Sequence, residues 1–125
     1  MGDLLLVCGS RMPEKFAPKY HETVSRELFR EDLILSAATG EHLEIIEGCC
    51  KRSADEFAED WANGTASLIH HCPGSPGRNL ERNRSMVDSC SRVLAFWDGF
   101  SYGTAYTIAY AAMKGKQVRV VRLDD

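Results

Sequence analysis

The sequence predicts a three-layer α/β domain built on a doubly wound parallel sheet of about five strands. Three observations carry this. Short, nearly continuous apolar runs alternate with stretches of helical periodicity. The runs stop at glycine or another turn former. The order strand, helix, strand holds from one end of the chain to the other. Continuous apolar runs mark strands buried on both faces, and their alternation with helices marks right-handed βαβ units. The expected architecture is Rossmann-like, a single domain over residues 1–125, long enough to bury a core without staples.

Each element has its own warrant. DLLLVC (3–8) is a strand ended by Gly9. Over residues 19–38, Val24, Leu28, Leu33, Ile34 and Leu35 give a helical pattern, with Gly40 just beyond it as a stop. HLEIIEG (42–48) is the second strand. Ser53 and Glu56 then make an S-x-x-E capping box for a helix whose buried stripe is Ala54, Phe57, Ala58 and Trp61, closed by Asn63-Gly64. ASLIHHC (66–72) is the third strand and PGSPG (73–77) a turn-forming loop. Residues 80–90 read as a helix with a thin apolar face, RVLAFW (92–97) as the fourth strand. A last helix opens at Gly103 or Thr104 and runs through Lys114 to Gly115, and QVRVVRL (117–123) is the fifth strand.

Composition narrows the function classes. Hydrophobic residues make up 44% and charged residues 26%, the balance of an ordinary soluble globular chain. A formal net charge of −3 gives no general attraction to nucleic acid or to an anionic membrane, so neither is an expected partner. The cysteines, Cys8, Cys49, Cys50, Cys72 and Cys90, are odd in number and follow no signal peptide, which predicts free thiols in the cytoplasm. The apolar run at the start is too short for a secretory segment or a membrane span.

In an open α/β sheet, ligands bind beyond the carboxyl ends of the strands. The residues predicted there are Gly9-Ser10-Arg11; Gly48 to Ser53 with Lys51 and Arg52; Gly74 to Gly77 followed by Arg78, Arg82, Asn83 and Arg84; and Asp98 to Thr104. Taken singly, each is an ordinary turn with surface charge. Three of the four nevertheless set glycine beside arginine or lysine on one edge of an acidic protein. Glycine lets backbone amides approach an oxyanion, helix N-termini add positive potential, and arginine matches phosphate with its planar fork. The convergence points to a small ligand bearing phosphate.

The order of these features resembles the SLOG superfamily: GSR after the first strand, a glycine-led loop with Ala54-Asp55 opening the second helix, Arg82-Asn83-x-x-Met86, then VLAFWDGFSYGT and a closing GKQVRVV. Within it the chain looks most like the short YspA/YpsA-related proteins of bacteria and phages. The resemblance spans nearly the whole chain. It implies a Rossmann-like fold and a nucleotide or nucleotide-derived ligand, and it makes the "lonely guy" phosphoribohydrolases distant relatives. Carried across position by position, it implies ligand contacts from Gly9, Ser10, Arg11, Gly48, Asp55, Arg82, Asn83, Asp98, Ser101, Gly103 and Thr104. Two departures stand out. Cys49-Cys50-Lys51-Arg52-Ser53 replaces a glycine-rich stretch, and Thr107 stands where the hydrolases carry glutamate.

Two other constellations stand near the same strand ends. Cys49-Cys50 and His70-His71-Cys72 lie at neighbouring strand ends, but no C-x-x-C or H-x-x-x-H spacing supports a metal, and no metal or other cofactor is expected. A nucleophilic Cys49 or Cys50 lacks an evident base. Phe100 and Tyr102 are candidates to stack on a base, whereas Tyr106 and Tyr110 share a helix face suited to packing or a subunit contact.

The leading expectation is therefore a cofactor-free binder of a phosphate-bearing nucleotide derivative, ADP-ribose-like or cyclic. The resemblance and the small size extend this to sequestering an immune signal, as a phage anti-defence protein would. One alternative is a nucleotide N-glycosidase in which Asp98 replaces the missing glutamate; another is an interaction protein with a vestigial pocket. A homodimer or homotetramer is expected.

Overall fold

The computed structural model describes residues 3–123. The elements run β1 (Leu4–Gly9), a 3-10 turn (Glu14–Phe16), α1 (Ala17–Thr39), β2 (Glu44–Glu47), α2 (Ala54–Asn63), β3 (Leu68–His71), α3 (Asn79–Ser89), β4 (Arg92–Trp97), α4 (Tyr102–Met113) and β5 (Gln117–Arg122). All five strands are parallel, in the order β3-β2-β1-β4-β5. The chain starts at the centre, winds outward to β3, then crosses back to lay β4 against the other side of β1. That reversal between β1 and β4 is the topological switch point, where a crevice opens at the carboxyl ends of the strands.

Strand alternation divides the core into two layers. Leu5, Val7, Ile45, Leu94 and Phe96 face α1 and α2, meeting Tyr20, Val24, Leu28, Phe57 and Ala58. Leu6, Cys8, Val93 and Ala95 face α3 and α4, meeting Met86, Val87, Cys90 and Ala111. The doubly wound α/β sheet is thus as the sequence predicts.

Three local expectations are corrected. Helix α1 begins at Ala17 rather than near residue 19, because Pro18 sits in the first turn, where a missing amide hydrogen costs nothing. Leu33 and Ile34 lie on the outer face of α1 and are each 58% exposed, while Tyr20, Val24 and Leu28 set the buried stripe. Residues 33, 34 and 35 are about 100° apart around the helix, so one face cannot take all three; only Leu35 packs against the core. At α2, Ser53 caps the Asp55 amide at 3.2 Å as expected, but Glu56 accepts from the amide of Arg52 at 2.8 Å, one residue before the cap.

Among the described residues no helix is long and apolar enough to cross a membrane.

Candidate functional site

A cavity of about 390 Å3 occupies the β1/β4 switch point, within the range of small-molecule sites. From β1 and its loop come Cys8, Gly9 and Arg11; from the β2–α2 loop, Cys50; from α3, Asn79, Leu80, Arg82 and Asn83; from α4 and its cap, Ser101, Gly103, Thr104 and Thr107. A second hollow of about 330 Å3 shares Arg11, Cys50, Asn79 and Arg82 with the first, and adds Gly48, Cys49 and the loop from Pro73 to Pro76. No aspartate or glutamate lines either hollow.

The positive potential has three sources. Arg11 is exposed and, among the described residues, makes no side-chain hydrogen bond or ion pair. Arg82 is held in place: Nη1 donates to the carbonyls of Gly48 at 2.6 Å and Cys72 at 3.1 Å, and Nε to Asn83 Oδ1 at 2.8 Å. Its hydrogen-bond partners are dipoles, and among the described residues no carboxylate forms an ion pair with it. Gly48 is small for this reason, since a Cβ there would lie 2.5 Å from Arg82 Nη1. The third source is the start of α4, where the first turn contains no acid and Ser101 caps no helix amide. Helix α4 thus presents free first-turn amides and its positive dipole end beside Gly103, which faces open space.

Seven of the eleven residues expected at the ligand line this crevice: Gly9, Arg11, Arg82, Asn83, Ser101, Gly103 and Thr104. Gly48 lines the neighbouring hollow. The other three line neither hollow. Ser10 is fully buried, and its Oγ accepts from the Asp98 amide at 3.1 Å, tying the β1 and β4 loops together. Asp98 Oδ1 accepts from the amides of Phe100 at 2.9 Å and Ser101 at 2.8 Å, shaping the turn into α4. Desolvation raises its pKa, but hydrogen bonds from Ser101, Phe100 and Ser10 outweigh it, and the net shift is downward. Phe100 and Tyr102, proposed to stack on a base, are 87% and 71% exposed and outside the lining.

Asp55 is the third. Its Oδ2 accepts from the Cys50 amide at 3.1 Å beneath the β2–α2 loop. Burial, with a contribution from Glu47, raises its pKa from 3.8 to about 6, against opposing contributions from the Cys50 amide and Arg82. The folded state therefore holds this proton more tightly than the unfolded chain, and the associated stability is full below pH 3.8 and lost as pH rises through about 6. Asp55→Asn keeps an acceptor for Cys50 and removes the buried charge. It is expected to stabilise the protein at pH 7.5 by up to about 3 kcal/mol, and to flatten urea-measured stability between pH 4 and 6 relative to the parent.

No family model, curated protein or solved structure matches this chain. The site therefore rests on its own geometry. Sequence reasoning missed Cys8, Asn79 and Leu80 in the lining, although Asn79, Arg82 and Asn83 share a face at i, i+3 and i+4, and Thr107 lies four residues from Gly103 and three from Thr104. Thr107 is buried and donates to the Gly103 carbonyl at 2.9 Å. Cys49 is no activated nucleophile: burial, then the Glu47 carboxylate, pushes its pKa up to about 11. A smaller hollow of about 210 Å3, between α1 and the end of β5, contains none of the expected residues.

Proposed function

We propose that this protein binds a phosphate-bearing, nucleotide-derived small molecule in the β1/β4 crevice. The observation that carries the reading is the pairing, in one cavity without any lining carboxylate, of two arginines that form no ion pair among the described residues with a helix start that has no side-chain cap. Phosphate or diphosphate oxygens would meet the amides at Gly103 and Thr104, with Arg11 and Arg82 supplying charge. Asn79 and Asn83 offer amide groups to a sugar or base edge. The resemblance of the loops to the SLOG superfamily points the same way.

Binding without turnover is the chemistry this lining supports. A hydrolase needs a group to stabilise an oxocarbenium ion or activate water. Thr107 offers only a hydroxyl committed to a backbone carbonyl, and Asp98, whose Oδ1 takes two amides of its own turn, lies outside the lining of the crevice. Sequestration of a nucleotide signal is the role that fits a binder of this size.

The test is a thermal-shift screen against nucleotides, ADP-ribose derivatives and cyclic dinucleotides, with each hit analysed by chromatography after incubation. A ligand at a hundred times its Kd should stabilise the fold by about 2.7 kcal/mol and be recovered intact. Recovery as free base and sugar phosphate would replace this reading with a hydrolase. No shift from any member would leave the pocket without a nucleotide role.

A further inference from the structure

Beside the crevice, at the carboxyl ends of β2 and β3, three side chains of different chemistry converge. Parallel pairing sets Glu47 opposite His71, so both project from one face of the sheet, and Cys49 turns back over the strand end. His71 Nδ1 lies 2.5 Å from Glu47 Oε2, and Cys49 Sγ lies 3.5 Å from that oxygen and 3.7 Å from that nitrogen. All three donor atoms lie within 4.8 Å of one another. We propose that Glu47, Cys49 and His71 form a binding site for a borderline divalent cation, zinc first.

The geometry distinguishes this from a catalytic relay. In a cysteine–histidine–carboxylate relay, one ring nitrogen takes the thiol proton while the other donates to the carboxylate. Here the same nitrogen, Nδ1, faces both partners, so oxygen, nitrogen and sulfur surround one point, and a cation there would take the place of the protons that now join them. Tetrahedral zinc with bonds of about 2.0–2.3 Å separates its ligand atoms by roughly 3.3–3.7 Å. Both sulfur edges already have that length. Only the oxygen–nitrogen edge must widen, by about 1 Å, and His71 is a half-exposed side chain that can turn to allow it.

The supporting hydrogen bonds fit the same role. The Cys49 amide donates to Glu47 Oε1 at 2.6 Å, which fixes the carboxylate with Oε2 directed at the other two donors. Glu47 is fully buried, whereas Cys49 and His71 are exposed. The site is thus anchored on one side and open on the other, leaving coordination positions for water or a ligand group. A thiolate and an imidazole select zinc or its neighbours over magnesium and calcium.

The test is titration of the full chain with Co2+, followed by competition of Zn2+ against a chromophoric chelator. One equivalent of Co2+ should bind and give a thiolate-to-metal charge-transfer band. Cys49→Ser should remove that band, and His71→Ala should weaken Zn2+ binding by at least the 10- to 100-fold typical of losing an outer-shell partner alone. Both residues are exposed, and circular dichroism verifies that the variants fold. Cys50→Ser and Cys72→Ser should keep the band, since Cys50 Sγ approaches Arg82 instead. Absence of stoichiometric binding, or a band that survives Cys49→Ser, overturns the proposal.

Discussion

Gly9→Ala should destabilise the protein by on the order of 3 kcal/mol, lowering Tm by roughly 10 °C. A Cβ at position 9 would lie 2.4 Å from the Tyr20 hydroxyl and 2.8 Å from Ala54 Cβ. A tyrosine hydroxyl can ordinarily give way, but this one cannot. It donates to the Ser10 carbonyl at 2.8 Å and accepts from the Ala54 amide at 3.0 Å, inside the core. Yielding to a methyl group breaks both bonds and strips the α2 start of a partner. Tyr20→Phe alone should cost about 1–3 kcal/mol, because it leaves two buried backbone groups unmatched. In the Tyr20→Phe background, Gly9→Ala should then cost less than in the parent, a coupling of about 0.5–3 kcal/mol. Urea unfolding of the four proteins measures the cycle. An undiminished penalty would mean that the hydroxyl is not the obstacle.

The second large effect separates two arginines of the crevice. Arg82→Ala should abolish measurable binding of the best nucleotide hit and also destabilise the fold by on the order of 2 kcal/mol, since the Gly48 and Cys72 carbonyls lose their donor. Arg11→Ala should leave stability within about 0.5 kcal/mol, having no partner to lose. It should still weaken the ligand by about 10- to 100-fold, the worth of one charged hydrogen bond. Calorimetric titration and urea unfolding read the two quantities separately. If Arg11→Ala leaves affinity unchanged, the ligand does not sit in this crevice.

The sheet was legible because its central strands, β1 and β4, are buried on both faces and read as unbroken apolar runs, LLLVC and VLAF. The phase of α1 was less so. Its sequence holds more apolar residues than its contact with the sheet can use, and Phe29, Leu33 and Ile34 remain outside. At the crevice, residue types marked loops that the fold brings together but not their division of labour. Ser10, Asp55 and Asp98 have the chemistry of ligand contacts and instead hold the loops that present Arg11, Cys50 and Ser101. Polar residues in a loop satisfy the backbone before they meet a ligand, and no spacing rule tells the two roles apart. Glu47 was hidden for the opposite reason: as the last residue of an apolar strand it gave no periodic signal, and only the register with β3 sets it against His71.

The β2–α2 loop bears one more consequence. Cys49 and Arg52 hold left-handed backbone, with φ of 62° and 58°, where a residue with a side chain costs about 1 kcal/mol or more relative to glycine. A laboratory lineage selected only for heat resistance would replace both by glycine early. It would emerge sturdier, with its crevice intact and the sulfur of Cys49 gone. Durability and metal chemistry thus pull this loop in opposite directions, and the residue found at position 49 in any evolved variant records which of the two was being selected.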